Sequence, residues 1–167
     1  DLKSFALGSP STSARYEKST SPGSAISATA QLQNFFENSA DGYALFARFR
    51  AADALKDSGD IDGAVQIFEG IATDSAVDDL YRDLATLLAI MHMIDGSDPE
   101  AMRARLTPLL ADNAVWRHSA RELSGALALK TGDQELAKTE FQKLADDLLA
   151  PPGARARATE ILQILGD

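Results

Sequence analysis

From residue 25 onward, apolar side chains return every three or four positions, and no segment alternates apolar and polar as a half-buried strand would. The pattern predicts an all-α chain. Tyr43, Phe46, Ala47, Ala51, Ala54 and Leu55 fall on one stripe, and Ile61, Ala64, Val65, Phe68, Ile71 and Ala72 on the next. Between them lies DSGD, Asp57 to Asp60. Gly59 suits the left-handed position that ends a helix, and Asp60 suits the cap of the one that follows. The unit is a helix, a tight turn and a second helix.

The same arrangement returns in HSARELSGALALKTGDQELAKTEFQKLADDLL, residues 118 to 149. Gly132 and Asp133 take the places of Gly59 and Asp60, Ala137 that of Ala64, Phe141 that of Phe68 and Leu144 that of Ile71. One period before Gly59 stands Gly23, followed by Ala28, Leu32 and Phe35. Between the two clear copies, Ser97, Met102, Leu106 and Leu109 make a degenerate unit whose register slips by about one residue. The result is a tetratricopeptide-like helical-repeat solenoid of about four helical hairpins, with a period of roughly 36 residues. Small residues on each helix, Ala52 with Ala64 and Gly125 with Ala137, would let the two axes approach, and the aromatic one turn on would fill the space where they diverge. PPGARARATEILQILGD, from Pro151, carries Ala154, Ala158, Ile161, Leu162 and Leu165 on one face and is expected to be a C-terminal capping helix.

The first 24 residues differ, being rich in Ser and Thr and broken by Gly and Pro. They are expected to be flexible or partly ordered, with the repeat domain spanning residues 25 to 167. With 45% hydrophobic and 25% charged residues the chain has the composition of a globular domain, and no run reaches the roughly 18 apolar residues of a membrane helix. A net charge of -9 argues against nucleic acid as a partner. The absence of cysteine excludes disulfides and thiol chemistry.

The stretch SGDIDGAVQIFE, residues 58 to 69, has the acids, glycine and terminal glutamate of a calcium loop. Its counterpart TGDQELAKTEFQ, residues 131 to 142, keeps the turn but has Leu136 for the glycine and Gln142 for the glutamate. The calcium features lie outside the shared pattern, so no metal site is expected. The acidic run DGSDPE places Asp98 before Pro99 as a helix start would. No phosphate loop, dinucleotide glycine pattern, zinc-protease helix or nucleophile elbow is present, and neither a catalytic residue nor a cofactor is assigned. His92 lies in an apolar helix and is expected inside it or at a groove; His118 and Ser119, being adjacent on a helix, point apart and form no nucleophile and base pair. In VWRHSARE, residues 115 to 122, Trp116 is expected to wedge between units and Arg117 and Arg121 to pair with acids.

Three strings, YALFARFRAADAL from Tyr43, SAVDDLYRDLATLLA from Ser75 and WRHSARELSGALAL from Trp116, together with Gly132 and Asp133, resemble the alphaproteobacterial branch of the YfgM-like tetratricopeptide-like family over roughly residues 25 to 165. That family includes the ancillary subunit of the SecYEG translocon. The resemblance implies a periplasmic repeat domain, tethered to the inner membrane by a helix that this sequence lacks, and working beside the translocon and periplasmic folding factors. A cytoplasmic location stays open as the alternative.

The function expected is a non-enzymatic protein-protein interaction scaffold, offering a groove to a peptide or a partner helix. Tetratricopeptide geometry would line that groove with Phe46, Phe49 and Asp53, then Thr86, Ile90 and Met93, then Ser119, Glu122 and Ala126. The competing expectation is a self-associating structural module, in which Leu32, Phe35 and Phe36 of an incomplete first unit find cover in another copy.

Overall fold

The computed structural model describes residues 42–96 and 98–166. Within these residues the chain is seven α-helices, with no strand. They are α1 Gly42–Asp57, α2 Ile61–Ala72, α3 Asp79–Met93, α4 Pro99–Leu106, α5 Arg117–Lys130, α6 Gln134–Asp146 and α7 Pro152–Gly166; α4 runs on into a 3-10 turn, Thr107–Leu110. The helical-repeat fold class follows. The expected first hairpin around Ala28, Leu32, Phe35 and Phe36, and the domain boundary after residue 24, lie outside the described residues.

The turns obey their sequence. Gly59 and Gly132 have φ of 88° and 77°, the left-handed conformation in which any side chain would be strained. Immediately after each glycine an aspartate caps the next helix: Asp60 Oδ1 accepts from the Gly63 N–H at 2.9 Å, and Asp133 Oδ1 from the Leu136 N–H at 3.1 Å. Asp98 does the same for α4, accepting from the Glu100 N–H at 3.1 Å with Pro99 in the first helical turn. Loss of one such cap costs a domain about 1 kcal/mol.

The chain divides into two compact units after Ala64. In the first, the buried face of α1 is Ala47, Ala51 and Ala52, while Tyr43 and Phe46, expected on the same stripe, are 80% and 56% exposed. Both belong to the first turn and a half of the helix, and burial begins only at Ala47.

In the second unit two apolar clusters succeed one another. Leu87 and Ile90 of α3, Met102 and Leu106 of α4, Leu109, and Ala120 and Leu127 of α5 form one, with Trp116 and Leu123 packed against it. Ala128, Ala137, Phe141, Leu144, Ala150, Ala154 and Ala158 form the other, and Ile161, Leu162 and Leu165 complete the face of α7. The capping helix therefore turns the whole stripe read for it toward the cluster, with Ala154 and Ala158 buried and Ile161, Leu162 and Leu165 half-buried. The middle repeat also ends its helix early: Pro108 has no N–H to continue α4, so the helix stops after eight residues and tightens into the 3-10 turn that delivers Leu109 to the core.

Successive repeats are joined by polar contacts one period apart. Arg105 grips Glu69 with both terminal nitrogens, at 2.7 and 3.0 Å, across 36 residues. The Trp116 indole N–H donates to the Leu80 carbonyl at 2.8 Å, again across 36. Lys130 pairs with Asp95, and Arg157 with Glu122, each across 35. The glutamate that suggested a calcium ligand is thus the partner of Arg105, and most of its stretch is the regular helix α2 rather than a ligand loop.

Helices α5 and α6 cross closely at Gly125. A Cβ added to Gly125 would lie 2.8 Å from the Phe141 ring, whose residue is 1% exposed and has no room to yield. Gly125→Ala is therefore expected to destabilise the protein by about 1 to 3 kcal/mol in denaturant unfolding, because overpacking outweighs the gain in helix propensity. Adding Phe141→Leu to that variant should recover part of the loss, so the two changes should fall short of additive.

Candidate peptide-binding cleft

Helices α3 and α5 lie side by side in the second unit, and each leaves one apolar strip partly uncovered. Leu84, Leu87, Leu88 and Met91 follow one another at spacings of three, one and three along α3, and Trp116, Ser119, Glu122, Leu123 and Ala126 run along the start and middle of α5. Together they line a cleft of about 410 Å³. Met91 is 48% exposed and Ser119 also faces out, whereas Leu87 is 6% exposed and forms the floor. Trp116 is anchored by its bond to the Leu80 carbonyl, so its large ring enters the wall at little further ordering cost. A second depression, of about 740 Å³, lies between α6 and α7. Its walls are mainly Lys138, Thr139, Gln142, Lys143 and Asp146, flexible polar chains with no aromatic anchor, and it is the weaker candidate for burying a partner.

Of the residues expected to line a groove, the structure brings Ser119, Glu122 and Ala126 together in the cleft. It places those expected from α3 elsewhere. Ile90 is fully buried in the core, Met93 packs against that core, and Thr86 is half-buried with its hydroxyl donating to the Arg82 carbonyl at 3.0 Å. The register explains the discrepancy. Leu84 with Ser119, Leu87 with Glu122, Leu88 with Leu123 and Met91 with Ala126 are each 35 residues apart, the spacing that also separates Glu122 from Arg157. A period of 36 counted back from α5 misses this face of α3 by one residue, about 100° of helix rotation. Phe46, Phe49 and Asp53 lie on α1 in the first unit; Phe49 is half-buried, and Asp53 accepts from Lys56 Nζ at 2.6 Å, a bond that lowers its carboxyl pKa. Leu84, Leu87, Leu88, Met91, Trp116 and Leu123 are absent from the expected set, and the spacing from Ser119 and its neighbours is the signal that finds the α3 members.

Just beyond the cleft, the start of α5 is fixed by Asp147 in the connection between α6 and α7. Its Oδ2 meets His118 Nε2 at 2.8 Å, with Arg117 and Arg121 at 3.6 and 3.7 Å, and its Oδ1 accepts from the Leu149 N–H at 2.9 Å. Arg121 also reaches Asp112 at 3.3 Å. The acids expected for the two arginines are therefore Asp147 and Asp112, and His118 bonds to a carboxylate rather than to Ser119. His92 stacks on Phe68, ring centroids 6.0 Å apart. The bond from Leu149, then that from His118, holds the Asp147 carboxyl below its usual range. Among the described residues no group of three or more histidine, aspartate or glutamate side chains converges to hold a metal ion, and no helix is long and apolar enough to cross a membrane.

A family model described as a tetratricopeptide repeat-like domain matches residues 10–164 of this chain. No curated protein and no solved structure matches it. Domains of the matched kind commonly mediate protein-protein interactions and are typically non-enzymatic.

The Asp147 cluster sets a pH test. A carboxyl whose folded pKa is depressed contributes stability that is complete above its unfolded pKa of about 3.9 and is lost as pH falls through the folded value. Asp147→Ala should lower the Tm in neutral solution, and the two melting curves should converge as the pH falls below that unfolded value. A gap that persists unchanged at pH about 2 would show that packing, not the charge, is what the aspartate supplies.

Proposed function

The chain belongs to the tetratricopeptide repeat-like family, and from that premise we propose that it is a protein-interaction scaffold whose α3 and α5 cleft receives a helical or extended peptide segment. The observation that carries this reading is the convergence of Leu84, Leu88, Met91 and Leu123 around a tryptophan already fixed by its own N–H. A partner placing leucine-sized side chains there buries apolar surface against a wall that needs little reordering, and preorganisation of that kind favours binding. Aromatic anchors ringed by aliphatic residues are where binding energy concentrates. Resemblance to the YfgM-like proteins supports a more specific setting, in which a chain tethered to the inner membrane holds this domain in the periplasm beside the translocon and presents it to folding factors or emerging segments.

The cleft contains its own reporter, since Trp116 is the one tryptophan in the sequence. Titration with a synthetic amphipathic helix bearing a leucine stripe should shift Trp116 emission with a saturable curve. Met91→Asp, at a position already 48% exposed, should weaken that binding by about tenfold or more while leaving the melting temperature close to that of the parent. Equal affinity for both proteins would remove the cleft from consideration.

A further inference from the structure

We propose that the partner of this cleft is a basic amphipathic segment, and that Arg157 of α7 occupies the place of the partner's cation until it is displaced. The inference rests on the cleft being a peptide site and concerns what distinguishes one peptide from another. Glu122 is the only charged residue among those lining the cleft, and both of its oxygens are held by Arg157, at 2.6 Å from Nε and 2.9 Å from Nη2. A peptide that seats its apolar side chains against Leu88, Met91 and Leu123 draws water away from this carboxylate. Covering a carboxylate is costly unless a cation remains with it.

Arg157 supplies such a cation in the free protein, but its side chain is 58% exposed and that of Glu122 is 32% exposed. An ion pair at this level of exposure is weak in water and exchanges readily. A lysine or arginine on the incoming segment can take over Glu122 and return Arg157 to solvent, conserving the number of paired charges as the cleft closes. A glutamate at the same place would meet a carboxylate whose cation is already engaged. The chain's net charge of -9 adds an attraction for basic segments during approach. Arg157 follows Glu122 by one 35-residue repeat, so the capping helix holds against a lining residue of the cleft the cation that a bound partner would bring.

The test uses the whole chain and three synthetic helical peptides with one leucine stripe, flanked in turn by lysine, glutamine or glutamate, with Trp116 emission as readout. The lysine peptide should bind about threefold to fivefold tighter than the glutamine peptide, the glutamate peptide should bind weakest, and the spread should shrink in high salt. Arg157→Gln should tighten the lysine peptide by about threefold and weaken the glutamine peptide, which then covers a carboxylate that has no cation. The double variant Glu122→Arg with Arg157→Glu keeps an ion pair between α5 and α7 and should reverse the order, favouring the glutamate peptide. Equal binding of all three peptides overturns this inference while the peptide-site reading stands. So does a lysine preference that survives the charge swap. If none of the peptides alters Trp116 emission, the peptide-site reading fails and this inference with it.

Discussion

Close approach of helix axes is the constraint from which the rest of the second unit follows. Gly125 lies directly under the Phe141 ring, where a single methyl would collide, and Ala137 and Ala128 are fully buried beside it. With the α5 and α6 backbones this near, the aromatic side chain becomes the spacer that fills the gap, and α7 packs against the same cluster. Alanine then does the same work again: Ala150, Ala154 and Ala158 bring the capping helix close enough for Ile161, Leu162 and Leu165 to seal the cluster. Dispersion forces act over short range, so a core made largely of alanine holds together only if the helices stay this close.

The polar contacts then determine which helix meets which. Each of the links from Glu69 to Arg105, Leu80 to Trp116, Asp95 to Lys130 and Glu122 to Arg157 spans 35 or 36 residues. Partly exposed ion pairs add little to stability. Their value is in specification, because apolar stripes of similar composition could slide past one another by a turn, and paired charges discriminate among such alternatives. Trp116 combines both roles, with its ring against the apolar cluster and its N–H on the preceding repeat.

Much of this was legible in the sequence wherever geometry leaves few residue choices. A left-handed turn demands glycine, a helix start demands an acceptor side chain, and a near contact demands a small residue, so Gly59, Gly132, Asp60, Asp98, Asp133 and Ala137 announce their positions. The cleft was legible only in half. Ser119, Glu122 and Ala126 line the cleft, while Thr86, Ile90 and Met93, expected beside the same small-residue stripe, lie one or two residues off the 35-residue spacing that relates α3 to α5. Successive repeats are offset by 38 and then 35 residues, as at Phe68, Leu106 and Phe141, so periodicity shows where a helix is and conceals its phase. Side-chain pairings such as Arg157 with Glu122 have no signature of their own until the helices are placed.

The unequal spacing of the repeats has an implication for how this domain tolerates rearrangement. Phe68, Leu106 and Phe141, matching core positions of successive repeats, are 38 and 35 residues apart, so each pair of neighbours is phased to a connection of its own length. The repeats are therefore not exchangeable modules. Duplicating, deleting or transplanting the middle one would rotate every downstream stripe away from its neighbour.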